Sequence, residues 1–117
     1  MTDKTPAQLA NDAAEAIWAI NHLTKSSRDG WQHPGDVYSM VADLARMAMM
    51  LPQALEQASV LVSDLAEAGK LRSQKDQLEY DVRETLLGLE TARIDAEGLY
   101  IGLNQATSGL GPIDYKD

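Results

Sequence analysis

The sequence predicts an all-α protein, built as an antiparallel hairpin of two long helices with a shorter N-terminal helix packed alongside. Three stretches repeat apolar residues at alternating steps of four and three, which is the spacing of one face of an α-helix. A strand would place such residues on alternate faces. Apolar residues make up 44% of the chain and Phe is absent. The core therefore relies on aliphatic side chains, and the abundant Ala and Leu are strong helix formers.

The first helix is predicted from Pro6 to Lys25 or Ser26. Thr5 can cap its first turn, and proline suits the first helical position, where its missing N–H costs nothing. The apolar stripe of this helix consists of Leu9, Ala13, Ala16, Ile20 and Leu23. Gly30 is the expected left-handed residue of the segment that ends the helix. Trp31 follows in the loop, and we expect it to pack against the ends of the first two helices.

The longest stripe predicts a second helix from Asp36 to Ala68, about 50 Å long. Its members are Val37, Val41, Leu44, Ala48, Leu51, Leu55, Ala58, Val62 and Leu65. Gly69 is expected to end it. A second apolar stripe lies beside the first and consists of Met40, Met47, Met50, Ala54 and Leu61. Two apolar faces indicate a helix with a neighbour on each side, or with one neighbour and a partner.

Pro52 falls in the middle of this stripe, where proline removes one backbone hydrogen bond and crowds the carbonyl of Ala48. Two interpretations follow. The helix is kinked and continues, or it stops near Met50 and restarts with Pro52 in its first turn. We favour the kink, because the apolar repeat crosses Pro52 without a skip.

The last helix is predicted to start after a Ser73 cap, with Asp76 supporting its first turn. Its stripe runs at steps of four and three from Leu78 to Leu110, and Arg93 and Thr107 interrupt it. The segment 108–112 should end it. We expect Leu44, Leu51, Leu55, Leu86 and Leu89 to be largely buried where the two long helices meet.

Residues 1–113 are predicted to form a single helical-bundle domain. Residues 114–117 match the opening of a widely used acidic epitope tag, so we interpret them as a tag remnant and exclude them from functional reasoning. The formal net charge of -8 argues against direct binding to nucleic acid or anionic membranes. The absence of an apolar leader or a span of about 20 apolar residues predicts a cytoplasmic location.

No catalytic, cofactor or metal motif is recognisable, so we expect a protein that is not an enzyme and carries no cofactor. His22 and His33 lack the spacing of a metal site, which needs three or four converging ligands. The carboxylates of the last helix are interrupted by basic residues and are interpreted as a solvated face.

The methionines of the second helix are the most suggestive feature, because methionine adapts its shape both in cores and at binding surfaces. The short first helix should leave part of the long hairpin uncovered. The residues we predict to bind a partner are Met40, Met47, Met50, Leu61, Leu99 and Ile101.

The run His33-Pro34-Gly35-Asp36-Val37-Tyr38, with Leu44-Ala45 and the segment 51–57, resembles small helical proteins of high-GC actinobacteria. These proteins are associated with plasmids and other mobile elements. The resemblance covers the central third of the chain and implies a genetic setting rather than an activity.

The expected function is a non-enzymatic helical interaction module that binds a protein partner or further copies of itself. Two alternatives remain open. One is an acidic inhibitor or decoy that binds a basic protein in phage or plasmid conflict, and the other is a structural subunit of a phage or particle.

Overall fold

The computed structural model describes residues 3–116 and contains three helices: α1 (Pro6–Leu23), α2 (Pro34–Glu67) and α3 (Leu78–Leu110). No strand occurs within these residues, although Arg28 and Trp31 form an isolated β-bridge in the loop after α1. The all-α prediction is confirmed. Met1, Thr2 and the tail residue Asp117 lie outside the described residues.

α1 begins as the sequence predicts. The backbone N–H of Gln8 donates to the Thr5 hydroxyl (3.1 Å), and the N–H of Thr5 donates to the Gln8 side chain (2.8 Å). This reciprocal cap precedes Pro6 at the first helical position. The helix ends at Leu23, before the predicted Lys25 or Ser26. Both the N–H and the hydroxyl of Thr24 donate to the carbonyl of Ile20, which closes the last turn.

α2 starts at Pro34, two residues before the expected Asp36. The Asp36 carboxylate accepts hydrogen bonds from the backbone N–H groups of Gln32 and His33, at 2.9 and 3.0 Å. Asp36 is the third residue of the helix and His33 is its N-cap, so these bonds tie the residues before the helix to its first turn, as in a capping box. The helix continues through Pro52, so the interpretation in which it stops and restarts there is wrong.

The end of α2 is set by Gly69, as predicted. Its φ of +69° is left-handed, and the N–H groups of Gly69 and Lys70 donate to the carbonyls of Ala66 and Leu65. This pair of bonds is the Schellman arrangement, which satisfies the last carbonyls of a helix.

The start of α3 differs from the prediction. Ser73 does not cap the helix, which begins five residues later at Leu78. The Ser73 hydroxyl instead donates to the Asp81 carboxylate (2.6 Å) and accepts from the N–H of Lys75 (3.1 Å). Asp76 has a left-handed φ of +54°, which breaks the helical path that the predicted cap required.

α2 and α3 form the predicted antiparallel hairpin. Tyr38, near the start of α2, lies beside Gly111 at the end of α3, while Glu56 and Leu89 face each other halfway along. Small residues mark the closest packing. Ala45, Ala48 and Ala96 are the buried residues of the described chain.

The leucines expected to be largely buried are Leu44, Leu51, Leu55, Leu86 and Leu89. All five are only partly buried, and no large side chain between residues 3 and 116 is fully buried. Two helices alone cannot enclose a large side chain, because each offers a single facing stripe. A third layer would be needed to complete such a core.

The predicted position of α1 alongside the hairpin is wrong. Within the described chain, no Cα of α1 lies within 8 Å of a Cα of α2 or α3. Only its last turn approaches α2, where Ile20, Leu23, Trp31 and Met40 line a cavity of about 220 Å³. The predicted packing of Trp31 at this junction is thereby supported. Two of the five α1 stripe residues are alanines, so the helix offers the hairpin little apolar area.

Candidate interaction surface

The six residues predicted to bind a partner differ in exposure. Met40 and Met47 are partly buried, and Met40 lines the cavity beneath the last turn of α1. Met50 and Leu61 are 54% and 60% exposed on α2, and Leu99 and Ile101 are 48% and 67% exposed on α3. Four of the six therefore keep about half or more of their surface in solvent.

On α2, the exposed members belong to one flank of the helix. We call this the α2 flank, formed by Met40, Met47, Met50, Ala54 and Leu61. Because an α-helix turns by about 100° per residue, this flank lies beside the stripe of α2 that contacts α3. Met49 has the same residue type and exposure as Met50, at 53%, but lies about 100° away around the helix.

On α3, Leu99 and Ile101 do not share a face, because residues two apart on a helix point in different directions. Ile101 instead continues a line of residues spaced seven apart. We call this the outer line, formed by Tyr80, Leu87, Ile94 and Ile101. Their exposures are 50%, 56%, 54% and 67%.

Sequence reasoning missed the first three residues of the outer line. The signal that could have found them is the seven-residue spacing itself. It was obscured because a longer apolar stripe, from Leu78 to Leu110, runs along the opposite face of the same helix. That stripe contacts α2, whereas the outer line faces solvent.

The surface area of the chain is large for its mass. It exposes 9160 Å², with a Cα radius of gyration of 19.0 Å and extents of 65 × 30 × 28 Å. A compact 12.8 kDa monomer would expose roughly 6300 Å², and a compact chain of this length would have a radius of gyration of about 13 Å. The α2 flank and the outer line are part of this uncovered area.

Arg93 forms the main charged cluster of the hairpin. Its guanidinium pairs with Glu90 and with Glu97 (2.5 Å), and Glu56 of α2 lies on the same side. The hydrogen bond from Arg93 lowers the pKa of Glu90, and Glu90 in turn raises the pKa of Arg93. Both ion-pair partners of Arg93 belong to α3, so the cluster is accounted for as i,i+3 and i,i+4 pairing along one helix, with Glu56 of α2 nearby.

Both histidines lie in aromatic contacts. The His22 ring stacks on Trp18 with ring centroids 5.6 Å apart, and His33 meets the edge of Tyr115 at 4.7 Å. In the part of the chain that the structure describes, no three His, Cys, Asp or Glu residues converge as a metal site would require. No helix among residues 3–116 is long and apolar enough to cross a membrane.

Two open cavities, of about 400 and 520 Å³, lie near the start of α2. Both are lined by Asp114 and Tyr115, which belong to the segment that we interpret as a tag remnant. Their walls therefore depend on that tail, and we assign them no binding role.

A comparison of the chain with protein-family models, curated proteins and solved structures finds no match.

Proposed function

We propose that this protein is a non-enzymatic helical interaction module of the cytoplasm, which associates with further copies of itself through apolar helix faces. The observation that carries the proposal is the incompleteness of the core. No large side chain in residues 3–116 is fully buried, while Met50, Leu61, Leu87, Ile94 and Ile101 are each more than half exposed. Apolar surface of this extent usually marks an interface.

The uncovered area is sufficient for association. The chain exposes about 2900 Å² more than a compact monomer of its mass would. A standard interface buries about 800 Å² on each partner. The excess, which counts the polar and apolar surface of the whole elongated chain, is larger than one such interface.

The resemblance of residues 33–38, 44–45 and 51–57 to small actinobacterial proteins favours a protein encoded by a mobile element. This part of the proposal concerns the genetic setting of the protein and not its chemistry.

Light scattering on the purified chain tests the proposal, and the α2 flank offers a matched pair of variants. Met50→Glu and Leu61→Glu should lower the measured mass toward the 12.8 kDa of one chain, because a charge at an apolar contact is costly to desolvate. Met49→Glu adds the same charge to an equally exposed methionine on another face and should leave the mass unchanged. Circular dichroism should show the same helix content in all three.

A wild-type mass of one chain at high micromolar concentration, with no protein captured from host lysate, would contradict the proposal. Loss of helix content in Met50→Glu or Leu61→Glu would place the α2 flank in the core of the folded chain. That result would remove this flank as an interface.

A second candidate function is favoured by the formal net charge of -8. The chain could act as an acidic inhibitor or decoy that binds a basic protein. Salt separates the two functions, because a contact between opposite charges is screened and should release at moderate salt. An apolar contact between two acidic chains should hold or strengthen under the same conditions.

A further inference from the structure

A row of mostly small residues lies beside the outer line of α3, on the side away from Arg93. It follows steps of four and three and consists of Glu84, Gly88, Thr91, Asp95, Gly98 and Gly102. We call this the glycine row. All six residues are exposed, and a Cβ added at any of the three glycines would project into open space. The packing of the chain itself therefore does not require glycine there, although each glycine weakens the helix relative to alanine.

The outer line and the glycine row together form a ridge with a low shelf beside it. Leu87, Ile94 and Ile101 stand along the ridge, and each is more than half exposed. On the shelf, the missing side chains allow the backbone of another helix to come close. A helix lying against both would therefore contact the ridge with its own apolar stripe, which is a common mode of helix recognition.

Two carboxylates of the glycine row have no cation beside them. Glu84 and Asp95 form no ion pair with any residue from 3 to 116. Across the outer line, Glu90 and Glu97 are instead both paired with Arg93. The formal net charge of -8 makes a second copy of the chain a poor match for unpaired carboxylates. The occupant of complementary charge is a basic helix.

We propose that the outer line and the glycine row bind a basic amphipathic helix of another protein. Its apolar stripe meets the outer line, and two of its lysine or arginine side chains pair with Glu84 and Asp95. These carboxylates are 11 residues apart, which is about three turns and about 17 Å along one face of α3. The inference goes beyond self-association: it gives the basic partner of the second candidate function a binding site, and it leaves the α2 flank free.

Fluorescence anisotropy with a labelled synthetic peptide tests the inference. The probe is an alanine-rich peptide of about 25 residues, long enough to form a helix by itself. It carries leucines at steps of four and three, with two lysines about three turns apart beside them. A control peptide has glutamate in place of both lysines. The wild-type chain should bind the lysine peptide and not the glutamate peptide, and added salt should weaken the binding.

Removal of the two unpaired carboxylates should weaken this binding. Glu84→Gln combined with Asp95→Asn should lower the affinity for the lysine peptide roughly three- to tenfold, as expected for the loss of two exposed ion pairs. The matched control is Asp64→Asn combined with Glu67→Gln, which removes the same charge from exposed positions of α2 and should leave the affinity nearly unchanged. Equal weakening by both double variants would mean that the peptide responds only to net charge, and would overturn the inference.

The ridge and the shelf are tested by uncharged substitutions. Leu87→Ala and Ile94→Ala should each weaken peptide binding, whereas Met49→Ala, which shortens an equally exposed side chain on α2, should not. Gly98→Gln should raise the melting temperature, because glutamine favours a helix more than glycine does. It should nevertheless weaken binding, because its side chain fills the shelf. Affinity unchanged by all three substitutions in α3 would place the peptide elsewhere and overturn the inference.

Failure of this inference and failure of the proposed function give different results. A lysine peptide that does not bind, or binds no better than the glutamate peptide, overturns the inference. A wild-type mass above that of one chain would still support self-association in that case. Conversely, a chain that binds the lysine peptide as described but has the mass of one chain supports the inference and counts against self-association alone.

Discussion

Pro52 lies in the interior of α2, where it cannot donate a backbone hydrogen bond to the carbonyl of Ala48. The helix nevertheless continues, because the stripe that contacts α3 keeps its phase on both sides of the proline. We expect Pro52→Ala to keep the fold and to leave the free energy of unfolding equal or higher, since the missing bond can then form. Urea denaturation followed by circular dichroism measures this. A decrease of several kcal/mol in the free energy of unfolding would contradict the interpretation that α2 merely tolerates Pro52.

Asp36 is the residue at which pH should act on the start of α2. Hydrogen bonds from the backbone N–H groups of Gln32 and His33 lower the pKa of its carboxyl below the usual value of 3.8. A carboxyl with a lowered folded pKa contributes stability that is present above its unfolded pKa and is lost as pH falls through the folded value. The melting temperature should therefore decrease as the pH is lowered below about 4.

Asp36→Asn isolates this contribution, because the asparagine side-chain oxygen can accept the same backbone hydrogen bonds but the side chain does not titrate. Its melting temperature should depend less on pH below about 4 than that of the wild type. Asp81, whose pKa is lowered chiefly by the Ser73 hydroxyl, remains in both proteins as an internal reference. If the melting temperatures of the two proteins changed with pH in the same way over this range, the ionised Asp36 carboxylate would add no stability.

At the scale of the elements, the hairpin depends on half-buried leucines and a few closely packed alanines. Leu44→Ala and Leu55→Ala should each cost about 1–2 kcal/mol, below the 2–5 kcal/mol of fully buried sites, because each side chain keeps part of its surface in solvent. Met49→Ala, on an exposed face, is the control and should cost little. Chemical denaturation measures all three, and near-zero effects at both leucines would mean that the wrong face of α2 contacts α3.

The helices themselves could be predicted because apolar spacing and local caps are short-range features. Thr5, Pro6 and Gly69 act through neighbours within a few residues, and each performs its expected role. Ser73 does not, because its hydroxyl bonds Asp81 eight residues away, and no short-range rule anticipates that contact. The cap of α3 was therefore placed too early.

The position of α1 could not be predicted for a different reason. Its apolar stripe is compatible with packing against the hairpin, but the stripe carries no information about which surface it meets. The same limit applies to the candidate surface. Met50 and Leu61 were identified as apolar flank residues, whereas the outer line was hidden by the stronger stripe on the same helix.

At the scale of the whole molecule, the chain is an elongated hairpin that α1 approaches only through its last turn. Its extents of 65 × 30 × 28 Å and its exposed area describe a fold with too little interior for its length. Association through the α2 flank, and a partner helix bound along the outer line, would each supply part of the missing layer.

Sedimentation equilibrium over a range of protein and salt concentrations tests self-association most directly. We predict masses that rise with concentration to at least twice the 12.8 kDa of one chain. Added salt should leave this association unchanged or strengthen it, because screening reduces repulsion between chains that each carry a formal charge of -8. A mass of one chain at every protein and salt concentration would contradict the account.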